Sequence, residues 1–288
     1  MHPLIRLLRT ALPVALLAAP AATAVAQQQQ PPPPPPPPPT PPRVIAVNPC
    51  PLAKQWHLRC PDLKMKRPFG LYVEHSHGRS LLRAGNSIDN VGKGPAELRG
   101  VRSSRLFMRA TQRIYKSGGG HITAKTRARL RYTFGHQEQY YWKLYRAARF
   151  ELWHLNHRGK RVRRVRKGAK IAYCLRDLRR SHPYLARSPR YRVYPACSTN
   201  PAKHRVRLGT SVGWSDIYPS DYIRQWVDVT GLRGCFALVH IADPGNGIFE
   251  SNEHNNRAQV IVRLPFHSGP QHCPGHSTGE VNHETGPY

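Results

Sequence analysis

Acidic residues are scarce in this chain. Of 288 residues only 15 are Asp or Glu, against 45 Lys and Arg, and the formal net charge is +30. No paired carboxylates and no nucleophile motif stand out, which argues against a nuclease or hydrolase. Long apolar runs are also missing. Past the N-terminus no segment approaches the ~18 apolar residues of a spanning helix, so nothing later is expected to cross a membrane as a helix. No cysteine pair has CxxC spacing, which weakens any zinc-ribbon reading. No internal repeat and no long amphipathic helix is visible, which leaves short strands as the building material.

The N-terminus reads as a secretory signal over residues 1–26. Arg6 and Arg9 form a basic start, Ala11 to Ala22 is apolar, and Ala24-Val25-Ala26 is a small-x-small cleavage site. The competing reading is a membrane anchor, but the run is short and broken by Pro13 and Pro20. Residues 27–44 are a Gln/Pro-rich linker, expected to be an extended polyproline II spacer because proline fixes φ and lacks an amide donor. The folded domain is expected over 45–266, followed by a flexible polar tail over 267–288. The expected location is secreted or cell-envelope associated. Six cysteines in an exported chain, Cys50, Cys60, Cys174, Cys197, Cys235 and Cys273, imply disulfides. Sequence alone does not choose their connectivity; the expectation is nearest-neighbour pairing.

Between the linker and the tail, short strands alternate with turns. Lys125, Arg127, Arg129 and Arg131 alternate with small or apolar residues, a period of two that gives a strand one basic face. Cys235 to Ala242 and Ala258 to Leu264 are rich in Val and Ile and read as core strands. Ser87 to Leu98, SIDNVGKGPAEL, reads as two short runs around a Gly-Lys-Gly-Pro turn. Ser220 to Gln225 is the best place for a short helix. The fold expected is all-β: a single-domain antiparallel β-sandwich with long loops.

Several segments occur in an order that resembles the lysyl oxidase family. They are Pro61-Asp62-Leu63, SIDNVGKGPAELRG, TQRIY from Thr111, RFEL from Arg149, KIAYCLRD from Lys170, GWSDIYPSDYIRQWVDVTGL, and FESNEHNN from Phe249. The resemblance spans most of residues 60–264. It implies that Lys170 and Tyr218 are the lysine and tyrosine that become cross-linked into a lysine tyrosylquinone. It also implies a copper ion that promotes that oxidation, and a primary amine or a lysine-bearing protein as substrate, oxidised to an aldehyde. For the cross-link to form, Lys170 must lose its proton, which burial favours.

The copper ligands of the family are three histidines in an HxHxH-like run before an aromatic-acid-Leu triplet. In FGHQEQYYWKLYRAARFEL, aligning Trp142 and RFEL puts Gln139, Tyr141 and Lys143 at those positions, with His136 nearby matching an outer, non-ligand histidine. Gln is a poor copper ligand, and a cationic lysine repels the metal. His75 with His77, and His154 with His157, are the nearest histidine pairs elsewhere. Each is more often plain surface histidine than a metal site.

The family's calcium signature reads as Asp62 and Leu63 meeting Glu250, Asn252, Asn255 and Asn256. Hard oxygen ligands suit calcium, and a capped turn remains the alternative. The last signal is basic: RGKRVRRVRKGAK, RDLRR and RSPRYR. Such a surface suits anionic envelope polymers or lipid headgroups through phosphate and carboxylate, and the signal peptide argues against a cellular nucleic-acid role. Two functions therefore stand: a copper- and quinone-dependent amine oxidase, and a non-catalytic basic polyanion-binding module on the same fold.

Overall fold

The sheets of this domain form around alternation. In the strand His121–Phe134, Ile122, Ala124, Ala128 and Leu130 are buried, while Lys125, Arg127 and Arg129 face solvent. The basic face expected from the sequence is the outer face of that strand. The computed structural model describes residues 44–135, 139–170, 172–267 and 271–279. Among them the regular structure is strand apart from a 3-10 turn at Cys50–Leu52. The domain is all-β, and its sheets are antiparallel except where Val44–Ile45 runs parallel to Thr123–Ala124.

The largest sheet has the order Ala172–Tyr173, Tyr140–Tyr145, His121–Phe134, Phe107–Lys116, Ala96–Arg102, Arg205–Thr210. A four-stranded sheet runs Arg161–Lys167, Ala148–Leu155, Gly234–Ala242, Arg257–Leu264. A third group gathers on the long strand Arg79–Asn90, which pairs with Phe69–Ser76, Leu63–Met65, Ser215–Tyr218 and Trp226–Asp228. Side chains from all three meet in one core, among them Leu98, Leu130 and Trp142 from the first, Phe150 and Phe236 from the second, and Leu82 and Ile88 from the third. Burying one face of each sheet against the others is what makes the sandwich.

The two runs around the Gly-Lys-Gly-Pro turn are present, and the short helix expected at Ser220 to Gln225 is not. The runs within SIDNVGKGPAEL do not pair with each other. Ser87 to Asn90 ends the long strand, whereas Ala96 begins a strand of the largest sheet. The turn between them carries the chain from one sheet to the other. It presses on the Arg59–Asp62 backbone so closely that a Cβ at Gly92 or Gly94 would collide with it. The stretch Ser220 to Gln225 forms turns, closed by Tyr222 N–H to the Pro219 carbonyl and Gln225 N–H to the Tyr222 carbonyl, both 3.1 Å. Pro219 and the short segment leave too few residues for a stable helical nucleus.

The three disulfides join sequence neighbours, Cys50–Cys60, Cys174–Cys197 and Cys235–Cys273, with Cα separations of 5.9, 5.6 and 5.8 Å. The last fastens the hairpin Gln271–Cys273 and His276–Gly279 to the strand Gly234–Ala242. The long irregular stretch after Cys174 is pinned by the buried Asp177. That carboxylate accepts from Ser211 N–H (2.7 Å), Ser211 Oγ (2.7 Å), Val193 N–H (2.9 Å) and Tyr194 N–H (3.2 Å). Residues 1–43, with the expected signal and most of the linker, lie outside the described residues, as does 280–288 of the expected tail.

Candidate active site

Lys170 stands just before the edge strand Ala172–Tyr173, and Tyr218 ends the strand Ser215–Tyr218. The approach of Lys170 is fixed on both sides. Gly168 N–H bonds to the Phe150 carbonyl (2.9 Å) and Ala169 N–H to the Trp226 carbonyl (3.2 Å). The Lys170 side chain is buried, and its Nζ lies 4.2 Å from the Tyr218 ring centroid, 4.4 Å from that of Tyr222 and 5.0 Å from that of Tyr173. It also reaches the Ile223 carbonyl at 3.4 Å. The two residues singled out from sequence are therefore brought together, inside an aromatic box.

Tyr218 is held from both ends. Its hydroxyl accepts from Cys174 N–H (2.9 Å) and donates to the Cys174 carbonyl (3.3 Å). Its ring stacks on Tyr173 at 4.3 Å and meets Tyr222 edge-on at 5.2 Å. Tyr173 is fixed in turn by Asn86 (3.2 Å) and Gln225 (3.4 Å), and Gln225 Nε2 bonds to Asn86 Oδ1 at 2.7 Å. These partners belong to a buried polar network in which every member constrains its neighbour.

Charge in this pocket is governed by burial. Burial pushes Lys170 well below the ordinary lysine range, and repulsion from Lys143 and Arg224 adds to it, against attraction to Asp216. Burial likewise pushes the Tyr218 hydroxyl well up. Asp216 is fully buried, and burial raises its pKa well above the usual carboxylate range, against the Arg176, Lys170 and Lys143 cations and the Tyr218 hydroxyl. Neither of its oxygens has a hydrogen bond of good geometry among the described residues. Asp216 was not among the residues picked from sequence. The signal was there: Asp216 and Tyr218 are two apart on a strand and so share a face.

The three positions aligned with copper ligands carry no imidazole. Gln139 is exposed and accepts a 3.4 Å hydrogen bond from the Tyr141 hydroxyl. Lys143 is buried, with its Nζ 5.2 Å from the Tyr141 ring centroid and 3.5 Å from the Phe134 carbonyl. Burial lowers its pKa to about 8, with Asp216 opposing and Arg224 and Arg176 assisting. At neutral pH it is mostly an ammonium group, with no lone pair for a metal. An amide, a phenol and a cation cannot replace three neutral imidazoles. His136 lies outside the described residues. His75 and His77 bond to Ser80 and Ser76 hydroxyls at 3.2 and 2.8 Å, and His154 packs edge-on against Phe236 at 5.5 Å. His157 sits exposed in a turn.

A second cluster joins the start of the domain to FESNEHNN. Glu250 accepts from Leu63 N–H and, at 3.0 Å, from Asn256 Nδ2, while Asn255 Nδ2 donates to Asp62 Oδ1 at 2.7 Å. Asn252 is exposed, and its oxygen accepts from His254 N–H at 3.0 Å. Glu253 reaches the cluster, where its Oε1 accepts from Glu250 N–H at 3.3 Å. Its Oε2, with Asn255 Oδ1 and Asn256 Oδ1, is buried without a hydrogen-bond partner. Burial, with repulsion from Asp243 and Asp62, raises Glu253 to about 7. Burial also raises Glu250, helped by Glu253 and Asp243. Orphaned oxygens among crowded carboxylates fit a hard divalent cation such as calcium. Among the described residues, however, no three of His, Cys, Asp or Glu are already drawn into a metal cage. The sequence signal for Glu253 was its place within the run, passed over in favour of Asn252.

Comparison with known proteins follows the same segments. The sequence model of the family described as lysyl oxidase matches residues 96–268. Protein-lysine 6-oxidase of Gallus gallus is 26% identical over 165 residues, 57% of this chain and 35% of that protein. Protein-lysine 6-oxidase of Homo sapiens is 26% identical over 164 residues, with the same shares of 57% and 35%. The match thus spans about a third of the length of these curated relatives.

Proposed function

The chain belongs to the lysyl oxidase family, and from that premise we propose that it is a member that keeps the lysine–tyrosine pair but has given up the copper site, and that works by binding rather than by turnover. The observation that carries this reading is Lys143. A buried ammonium stands where the third copper-binding imidazole is expected, beside Asp216 and Lys170. In its ammonium form that amine, in a low-dielectric pocket, repels an incoming cation by roughly several kcal/mol. With Gln139 and Tyr141 in the other two places, none of the three aligned positions offers copper an imidazole.

The binding role rests on charge. A net charge of +30 favours anionic envelope polymers or lipid headgroups. The same reading includes export through the N-terminal signal, which the three disulfides support. Among the described residues no helix is long and apolar enough to cross a membrane. In the Asp62–Glu250–Glu253 cluster, calcium would neutralise the carboxylates and tie the first strands to the last.

One observation favours the second reading, an oxidase of primary amines or protein lysines. Lys170 is buried, its pKa is pushed down by burial, and its Nζ lies 4.2 Å from the Tyr218 ring centroid, the contact that a lysine–tyrosine cross-link requires. Copper analysis of the purified chain separates the two readings. The binding reading expects no tightly held copper after dialysis; one firmly bound copper per chain overturns it.

A further inference from the structure

Away from the Lys170–Tyr218 pair, a cavity of about 550 Å³ opens between the Gly92–Pro95 turn, the hairpin tip at Lys116–Gly120 and the loop around Arg187–Tyr194. At its floor lies Glu97, fully buried. This carboxylate is already satisfied. Arg99 Nε reaches it at 2.6 Å, and the Tyr115 and Tyr194 hydroxyls donate to it at 2.9 and 2.8 Å. Burial works to raise its pKa, but the hydrogen bonds from Arg99, Tyr194 and Tyr115 outweigh that and hold it below the ordinary range. Glu97 is therefore not available to neutralise the rim.

The rim is basic and unpaired. Lys93, Lys116 and Arg187 line the cavity and are exposed. None of the three has a carboxylate partner among the described residues. Arg59 on the same wall donates from Nη2 to the Ser117 carbonyl at 2.6 Å and keeps a buried Nε with no partner. A second cavity of about 480 Å³ shares Arg59, Lys93, Ser117 and Arg187 with the first and adds Lys54, His57 and one carboxylate, Asp62, which accepts from Asn255 Nδ2 at 2.7 Å. The two form one furrow with a shared wall, in which cations outnumber carboxylates.

Three exposed cations at one mouth repel one another unless an anion sits among them. Arginine at the wall suits carboxylate or phosphate through paired hydrogen bonds. The aromatic rings in the furrow offer no open stacking platform. Tyr194 is buried under the Arg207 guanidinium at 4.8 Å from its ring centroid, and Tyr115 leans on His121 at 6.0 Å. Single-stranded nucleic acid depends on such platforms. A recessed furrow with repeated cations instead suits a chain of sugars that carries its charges at intervals.

We propose that this furrow binds an acidic polysaccharide, with Lys93, Lys116 and Arg187 taking its carboxylate or phosphate groups at the mouth and Arg59 adding positive charge at the wall. The proposal rests on the binding reading and gives it a place and a ligand class.

The test uses the full mature chain and three probes: a polygalacturonate oligomer, a neutral galactan of equal length, and a single-stranded oligonucleotide of equal charge. Affinities are measured at about 0.15 M salt, where diffuse charge is screened beyond about 8 Å. The furrow variant carries Lys93→Ser, Lys116→Ser and Arg187→Asn; Asn suits the positive φ of 69° at that position. The control variant carries Lys66→Ser, Lys203→Ser and Arg233→Ser, three exposed cations outside the furrow lining and outside the basic runs RGKRVRRVRKGAK, RDLRR and RSPRYR. The net charge falls by the same amount in both. The expected result is polygalacturonate bound over galactan and oligonucleotide, with a loss of about tenfold or more in the furrow variant and under about twofold in the control. Equal losses in the two variants, tighter binding of the oligonucleotide, or no binding of polygalacturonate each overturn the proposal. These outcomes are read without copper, so a failure here is distinct from the discovery of a metal-loaded oxidase.

Discussion

The Lys170 amine lies 4.2 Å from the centre of the Tyr218 ring, inside a box closed by Tyr173 and Tyr222. The pair needed for a lysine–tyrosine link is thus in place. The group beside it that departs from the family is Lys143, whose charge acts on Lys170 and Asp216 alike. The account turns on what that one side chain does to metal binding.

Lys143 is a buried cation whose folded pKa is about 8, below the ordinary lysine value. The unfolded chain therefore binds more protons between about pH 8 and pH 10.5, so stability rises with pH across that window. Below pH 8 the cost of burying the charge is at its full value. Lys143→Met removes that cost. The stability advantage of the variant over the parent is expected to shrink by on the order of 3 kcal/mol between pH 8 and pH 10.5. Urea unfolding at several pH values measures it; a pH-independent gap would show that the lysine is not held in a desolvated place.

Restoring imidazoles should restore metal. The triple variant Gln139→His, Tyr141→His, Lys143→His is expected to rise from no retained copper to about one equivalent per chain. Metal analysis after dialysis reads the outcome. A triple variant that stays metal-free would mean that the surrounding pocket has changed beyond the three positions.

Much of this was legible in the sequence. Period-two alternation around Lys125 to Arg131 gave a strand with a basic outer face, and the Val/Ile runs gave the core strands. Lys170 and Tyr218 were legible because each sits in its own recognisable segment. Asp216 is only half legible: its spacing puts it on the Tyr218 face, but one carboxylate in a motif carries no sign of how deeply it will be buried. The split of SIDNVGKGPAEL between two sheets was equally hidden. A Gly-Lys-Gly-Pro turn looks the same whether it closes a hairpin or crosses a sandwich. At the acid cluster, that Glu253 is half-buried while Asn252 faces solvent is a property of packing rather than of spacing.

Calcium should stiffen the Asp62–Glu250–Glu253 cluster. At about a hundredfold excess over its dissociation constant it adds about 2.7 kcal/mol, a rise of about 5 to 10 °C in melting temperature. Glu253→Gln should lose most of that rise while melting no lower than the parent in chelator, because it relieves repulsion among Asp62, Asp243 and Glu250. Thermal melts with and without calcium decide it. An unchanged calcium response in the variant would remove Glu253 from the site.

Asp177 holds the irregular stretch that follows the Lys170 segment, through four hydrogen bonds from Ser211, Val193 and Tyr194. Asp177→Ala leaves buried donors unpaired and is expected to cost about 3 kcal/mol. Denaturant unfolding checks the figure, and a cost below about 1 kcal/mol would mean that water replaces the carboxylate readily.

The most direct test of the central claim is peptide mass spectrometry on chain produced and incubated with copper and oxygen. Two separate, unmodified peptides bearing Lys170 and Tyr218 are expected, since Lys143 keeps copper out. A covalent, oxidised link between those peptides would contradict it and make the protein an amine oxidase with an altered metal site.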